Sequence, residues 1–222
     1  MRQHRLSAAA WRLPRGLGIG VFLLGTLAAS SGCQAFTALV LIFGAEPTKT
    51  IPAEYSHLTD QKVCIVVRAD METLFDYPQV QWELADHLRV ALEANVRGIK
   101  VVEPRSVVDF QRRNAGWEKL DPAELGKRFS ADRVLMLDVT QYSTREPETP
   151  HLYRGHITAL VGVYNVAYPN SEPVYTKEVE TVYPPASAGA WGTGDREIRR
   201  ATMEAFAQDV TAKFYDRTVK VK

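Results

Sequence analysis

The chain has 222 residues, with 27 Lys and Arg against 26 Asp and Glu. Residues 1–32 hold four of those bases (Arg2, Arg5, Arg12 and Arg15) and no acid, so the chain from Cys33 onward has 23 bases against 26 acids, a net of −3. A mildly acidic remainder lacks the basic footprint of nucleic-acid binding, and its length suits one domain with its own core.

Residues 1–32 read as a secretory leader. The four arginines form the basic region, residues 17–29 (LGIGVFLLGTLAA) form the apolar region, and Ser30-Ser31-Gly32 leads into Cys33. Small residues suit a cleavage pocket, and the Cys33 thiol is a nucleophile for acylation. The uncharged stretch continues through Ala45, so residues 17–45 are also long enough to cross a bilayer uncleaved. Both readings leave the arginines on the cytoplasmic side and send the rest of the chain across. If Cys33 carries lipid, Cys64 is alone and no internal disulfide forms. Cys64 lies in an apolar run and reads as a small buried hydrophobe.

Residues 33–60 form the apolar segment and a tether ending in a turn, and residues 61–222 form a single extracytoplasmic domain. Residues 62–68 (KVCIVVR) predict a strand buried on both faces. Residues 70–77 read as loop. Pro78 opens a helix whose stripe is Val80, Leu84, Leu88, Ala91 and Leu92, stopped by Gly98. His87 flanks that stripe, with no second ligand spaced to it. Residues 99–102 give a second strand and complete a βαβ unit.

Residues 104–113 predict a short helix, with Ser106 and Asp109 at capping-box spacing. Asp121, Pro122 and Glu124 start the next, which ends near Ser130. Residues 132–142 are a third strand, and residues 143–151 a loop with two prolines. Residues 153–168 and 172–183 are further strands about a turn at 169–171, with Gly155 and Gly162 marking a bulge or bend. Tyr175, Val179 and Tyr183 share one face of the last strand, and Glu178 and Glu180 the solvated one. After a small-residue loop (184–194), Asp195 caps a final helix with a stripe of Met203, Phe206, Val210 and Phe214. The fold class is therefore α/β with an α+β tail: a mixed sheet with a βαβ unit, an added antiparallel meander and packing helices.

Catalytic signatures are missing. Gly189 and Gly194 have the outer spacing of a phosphate loop, but Asp195 and Arg196 follow where Lys and a hydroxyl are needed. His151 and His156 would face opposite sides of one strand, and no paired metal-ligand motif or GxSxG elbow occurs. Glu146 and Glu148 lie in an exposed loop that would leave both carboxyls ordinary. No catalytic, cofactor, metal or small-molecule residue is nominated. Two features suit a partner. Trp191 sits among small residues as an aromatic anchor or folds back onto the sheet. Arg196, Arg199 and Arg200 crowd a helix start, where positive charge opposes the dipole. Either nearby acids pair with them or an acidic partner does.

Ser30-Ser31-Gly32-Cys33 resembles the lipobox of bacterial lipoproteins, with Ser30 where an aliphatic residue is usual. Residues 84–94 (LADHLRVALEA), 99–110 (IKVVEPRSVVDF) and 120–142 (LDPAELGKRFSADRVLMLDVTQY) resemble bacterial envelope lipoproteins that share an α/β module. That module occurs in the curli-secretion lipoprotein, in lipoprotein activators of penicillin-binding proteins and in the N-terminal domain of the TolB translocation protein. The resemblance covers roughly residues 62–183 and implies a non-enzymatic role in assembly or regulation. The expected partners are a membrane, through lipid on Cys33 or residues 17–45, and a protein or a second copy. Gln34 lacks the Asp of an inner-membrane retention signal, which favours the outer membrane.

Overall fold

The computed structural model describes residues 48–146, 149–185 and 194–220, with residues 150 and 151 described by backbone alone. Residues 50–219 form one compact unit, and of the second, formed by the chain ends, only Thr48, Lys49 and Lys220 are described. The leader, Cys33, residues 17–45 and Trp191 lie outside the described residues. Among the described residues no helix is long and apolar enough to cross a membrane.

Strand β1 (Thr48–Ile51) belongs to a two-stranded sheet with the last strand of the chain. Strand β2 (Lys62–Ala69) is central to the main sheet, and Val63 to Val67 are all buried. Helix α1 (Met71–Asp76) follows where a loop is expected from sequence. The Asp70 carboxylate caps it, accepting from the Thr73 N–H at 2.7 Å. Six residues are too few for apolar periodicity to reveal it. Helix α2 (Val80–Asn95) buries Val80, Leu84, Leu88 and Leu92 as predicted, and Gly98 stands at φ +67°. Strand β3 (Lys100–Val101) is parallel to β2 in the register Lys62↔Lys100 and Val63↔Val101.

Because β3 is so short, the Val67 carbonyl has no strand partner on that edge. Gln81 and Gln111, both buried, each donate an Nε2 hydrogen to it at 3.0 Å. Helix α3 (Pro104–Arg113) carries Gln111 and is preceded by Glu103 as N-cap. The expected cap Ser106 is inside the helix, its hydroxyl turned back to the Glu103 carbonyl at 2.6 Å. Helix α4 (Pro122–Arg128) has the predicted cap, the Asp121 carboxylate on the Ala123 N–H at 2.8 Å.

Strand β4 (Arg133–Glu146) is parallel to β2 from Val63↔Arg133 to Ala69↔Val139. Strand β5 (Thr149–Asn165) is antiparallel to it, and residues 143–146 and 149–151, expected as loop, are thus strand ends with the pairing Glu146↔Thr149. Register shifts at Val139/Gln141 and Ser143/Arg145 break the alternation there, which hides the strands from a periodicity reading. Strand β6 (Tyr175–Tyr183) completes the order β3-β2-β4-β5-β6. Helix α5 (Asp195–Thr211) follows, and Gly194, not Asp195, is its N-cap. Strand β7 (Arg217–Lys220) pairs with β1.

Two cores account for the apolar runs of β2 and β4. On one face Leu84, Leu88 and Leu92 of α2 and Met203, Phe206 and Val210 of α5 bury Ile65, Val67, Leu135 and Leu137. On the other, Val107, Trp117 and Leu125 bury Cys64, Val66, Val134 and Met136. Strands β5 and β6 keep an open outer face, where Glu178 and Glu180 are exposed as predicted. Gly155 lies, as expected, in a register shift, where Arg154 and Gly155 together oppose Thr144, and it also marks a close approach: a Cβ there would overlap the Thr202 side chain on α5. The segment read as a tether contributes β1 and the fully buried Leu58.

Candidate functional site

Helices α2 and α5 both begin at the end of the sheet where β2 and β4 finish. The bond from Gln81 to the Val67 carbonyl places the start of α2 there, and one from Thr144 to Asp195 places the start of α5. Between their N-terminal halves runs a groove of about 380 Å³, lined by Trp82, Glu83, Asp86 and His87 of α2 and by Arg196, Arg199, Arg200 and Met203 of α5. Residues 196, 199 and 200 share one flank because side chains three and four apart on a helix are neighbours.

The three arginines divide in role. Arg199 points inward, bonds the Glu83 carboxylate and stands 5.5 Å over the Tyr77 ring. Pairing with an acid therefore explains Arg199. Arg196 and Arg200 are exposed and form no ion pair or hydrogen bond with any described residue. Asp86 is not free to serve them, being held by Arg89 at 2.7 Å. Glu197 joins Arg196 and Arg200 around a separate, more open hollow at the first turn of α5.

Beneath the groove a buried hydrogen-bond chain sets the position of α5. The Thr144 hydroxyl, 1% exposed as a residue, donates to Asp195 Oδ1 at 2.5 Å and lies 3.1 Å from the Tyr77 hydroxyl. The Tyr77 and Tyr142 rings meet edge to face at 4.6 Å. Burial pushes the Tyr142 phenol well above its ordinary value, partly offset by the Arg199 charge. A threonine so enclosed cannot meet a substrate, so this chain of hydroxyls is scaffold.

Trp82 also walls a second hollow of about 350 Å³ with Gln79, Arg105, Val108, Asp109 and Arg112. The Arg105 guanidinium covers the Trp82 ring at 4.8 Å, and Arg112 donates to the Pro78 carbonyl at 3.2 Å. A half-buried indole thus stands between arginines of α3 and α5. Its position off the apolar stripe of an amphipathic helix is the signal in the sequence that could have flagged it. His87, read as a helix flank, does lie on the flank and forms part of the groove wall.

The remaining sequence candidates do not assemble. His156 bonds Glu180 at 2.9 Å on the open face of β5, and Glu146 pairs with Arg154 at 3.3 Å. Glu148 and the His151 side chain lie outside the described residues. Among the described residues no group of three or more His, Cys, Asp or Glu is placed to hold a metal ion. Burial pushes the Cys64 thiol up to about 12, which makes it inert.

Fold and groove together define a mixed α/β domain with a charged interhelical surface. No family model matches the chain, and no curated protein matches it. Among solved structures it is similar to a single-substitution variant of the PelC dodecamer from Paraburkholderia phytofirmans, at 12% identity and a TM-score of 0.45, covering 78% of this chain and 100% of that one. It is similar to lipoprotein GNA1162 from Neisseria meningitidis, at 16% identity and a TM-score of 0.41, covering 63% and 91%. The hypothetical protein CT253 from Chlamydia trachomatis gives 13% identity and a TM-score of 0.43, covering 68% and 94%. With identities and scores this low, function has to be argued from the residues themselves.

Proposed function

We propose that the chain is a lipid-anchored, non-enzymatic module of the cell envelope, held by Cys33 and binding an acidic segment of a partner protein in the α2–α5 groove. The observation that carries this reading is the pair Arg196 and Arg200, exposed and in no ion pair with a described residue, on the rim of a groove walled by Trp82. Arginine and tryptophan are the side chains that most often anchor protein interfaces. A protein fits better than a small anion because the same end exposes apolar side chains too. Met71 and Phe75 of α1 are 81% and 85% exposed, one helical turn apart.

A photo-crosslinking residue in place of Arg200, in membranes of intact cells, tests the site. A single adduct of reproducible mass is expected, lost when Arg196→Glu is added and absent from a control at the exposed Val90. Adducts equal to the Val90 control, or none, would refute the groove as a binding site. An adduct of twice the chain's mass would identify the partner as a second copy. Labelled palmitate, incorporated by the parent and not by Cys33→Ala, separates a lipid anchor from an uncleaved span of residues 17–45.

A further inference from the structure

The compact unit has two unlike ends, and residues 53–60 run along the one away from the groove. Ala53 donates its N–H to Asp216 Oδ1 at 2.8 Å, and Tyr55 donates to the Lys213 carbonyl at 3.0 Å. The Asp60 N–H bonds the Arg97 carbonyl at 3.1 Å, just past the C-terminus of α2. The entering chain is thus fastened where the parallel strands begin. The groove residues Trp82 to His87 stand about 12–20 Å along α2 from that end. From Ala45, where the uncharged stretch stops, to Thr50 is a reach of about 17 Å at full extension.

This same end carries a row of cations. Three adjacent parallel strands each open on a cation: Lys62, Lys100 and Arg133. Lys62 and Arg133 are engaged, Lys62 with the Phe129 carbonyl at 2.9 Å and Arg133 with Asn165 at 2.9 Å. Lys100 and Lys127 are exposed and pair with no acid among the described residues. Arg97 is 87% exposed, with Asp60 4.0 Å away. Arg128 rests on the Phe110 ring at 4.6 Å, one turn after Glu124.

Most acids nearby are tied by hydrogen bonds, while Glu124 stands exposed one turn before Lys127 and Arg128. Asp132 accepts the Lys62 N–H at 2.8 Å, Asp121 the Ala123 N–H, Asp216 the Ala53 N–H, and Glu54 is bonded by Lys213 at 3.0 Å. Lys127 and Arg128 in the last turn of α4 also suit its dipole. Lys100, at the start of a strand, has no such reason to be there.

We propose that this end is a docking surface for the anionic phospholipid headgroups of the bilayer that holds the chain, with Arg97, Lys100, Lys127 and Arg128 contacting phosphate. The proposal rests on the membrane-anchored reading with the uncharged residues 34–45 held in the bilayer, since the connection from Ala45 is then short enough to keep this end at the membrane. Headgroup contact would hold the domain upright and turn the Trp82 groove away from the membrane.

The test uses full-length chain in nanodiscs of phosphatidylcholine alone or with phosphatidylglycerol added, followed by backbone hydrogen exchange. Exchange at residues 97–101 and 127–133 is expected to slow about fivefold in the anionic discs, the factor for ~1 kcal/mol per engaged basic residue. Residues 196–203 should exchange equally in both discs. High salt should erase the difference, as should Lys100→Glu with Lys127→Glu, two exposed substitutions that leave the core intact. Equal exchange in both discs, with the chain retained in each, overturns the surface and leaves the anchor standing. A chain that floats with neither disc overturns the anchor, and the surface with it.

Discussion

Thr144→Val tests whether the hydroxyl chain beneath the groove holds α5 in place. The substitution keeps the side-chain shape, so it leaves no cavity and isolates the hydrogen bonds. The lost bond to Asp195, at 2.5 Å, has a charged acceptor, for which about 1.5–3 kcal/mol is typical. Tyr77 loses a neighbour at 3.1 Å as well, but it is half-buried and water replaces part of that contact. The expected destabilisation is about 2 kcal/mol. With a urea slope of about 2 kcal/mol per molar, the midpoint falls by about 1 M. Urea unfolding of the full chain in detergent, followed by tryptophan fluorescence, reads that shift. A cycle with Asp195→Ala should give a coupling of about 1–2 kcal/mol. A midpoint within about 0.25 M of the parent's, or a coupling near zero, would mean that Asp195 turns to water and that the start of α5 is set by packing alone.

Three further outcomes follow from the same structure. Gly155→Ala puts a Cβ 2.6 Å from Thr202 Cβ, so α5 must back away from β5; a loss of about 2–3 kcal/mol in thermal or urea unfolding is expected, and a neutral result would show that the helix can shift freely. Glu54 is held below its ordinary pKa, first by a hydrogen bond from Lys213 and, after an opposing effect of burial, by one from Tyr175. A depressed carboxyl stabilises the fold fully above its unfolded pKa and loses that effect as pH falls through the folded value. Melting temperature measured from neutral pH down to about pH 3 should therefore fall less steeply in Glu54→Gln than in the parent, and identical slopes would count against the pairing. Cys64, with its thiol near 12, should resist a thiol reagent at mildly alkaline pH until the chain is unfolded; rapid modification of the folded chain would contradict its burial.

Much of the sheet was legible because burial on two faces imposes a plain pattern. Residues 62–68, 132–142 and the alternation of 172–183 needed no long-range knowledge, and the Asp121-Pro122 start of α4 is local chemistry. The misreadings share a different cause. Helix α1 depends on one cap and has no periodicity to display. The stretch 143–151 carries register shifts, prolines and charge, each of which imitates a loop. Ser106 and Asp195 are good capping residues whose helices begin one to three positions earlier, because a neighbouring backbone conformation already served as the cap.

The groove illustrates a harder limit. Its walls come from helices whose paired residues, Glu83 and Arg199, are 116 positions apart. A list of three arginines near a helix start can be read either as charges awaiting acids or as charges awaiting a partner. Only the folded arrangement divides them, because Glu83 satisfies Arg199 while Arg89 withdraws Asp86. What remains on Arg196 and Arg200 is charge that the described residues do not neutralise, on a rigid helix pair rather than a loop. Rigid placement matters for recognition, since little conformational freedom is left to lose on binding. At the opposite end Lys100 and Lys127 are likewise exposed and in no ion pair with a described residue. Both ends of the domain thus present exposed cations that no described acid pairs in an ion pair, although the chain from Cys33 onward is acidic overall.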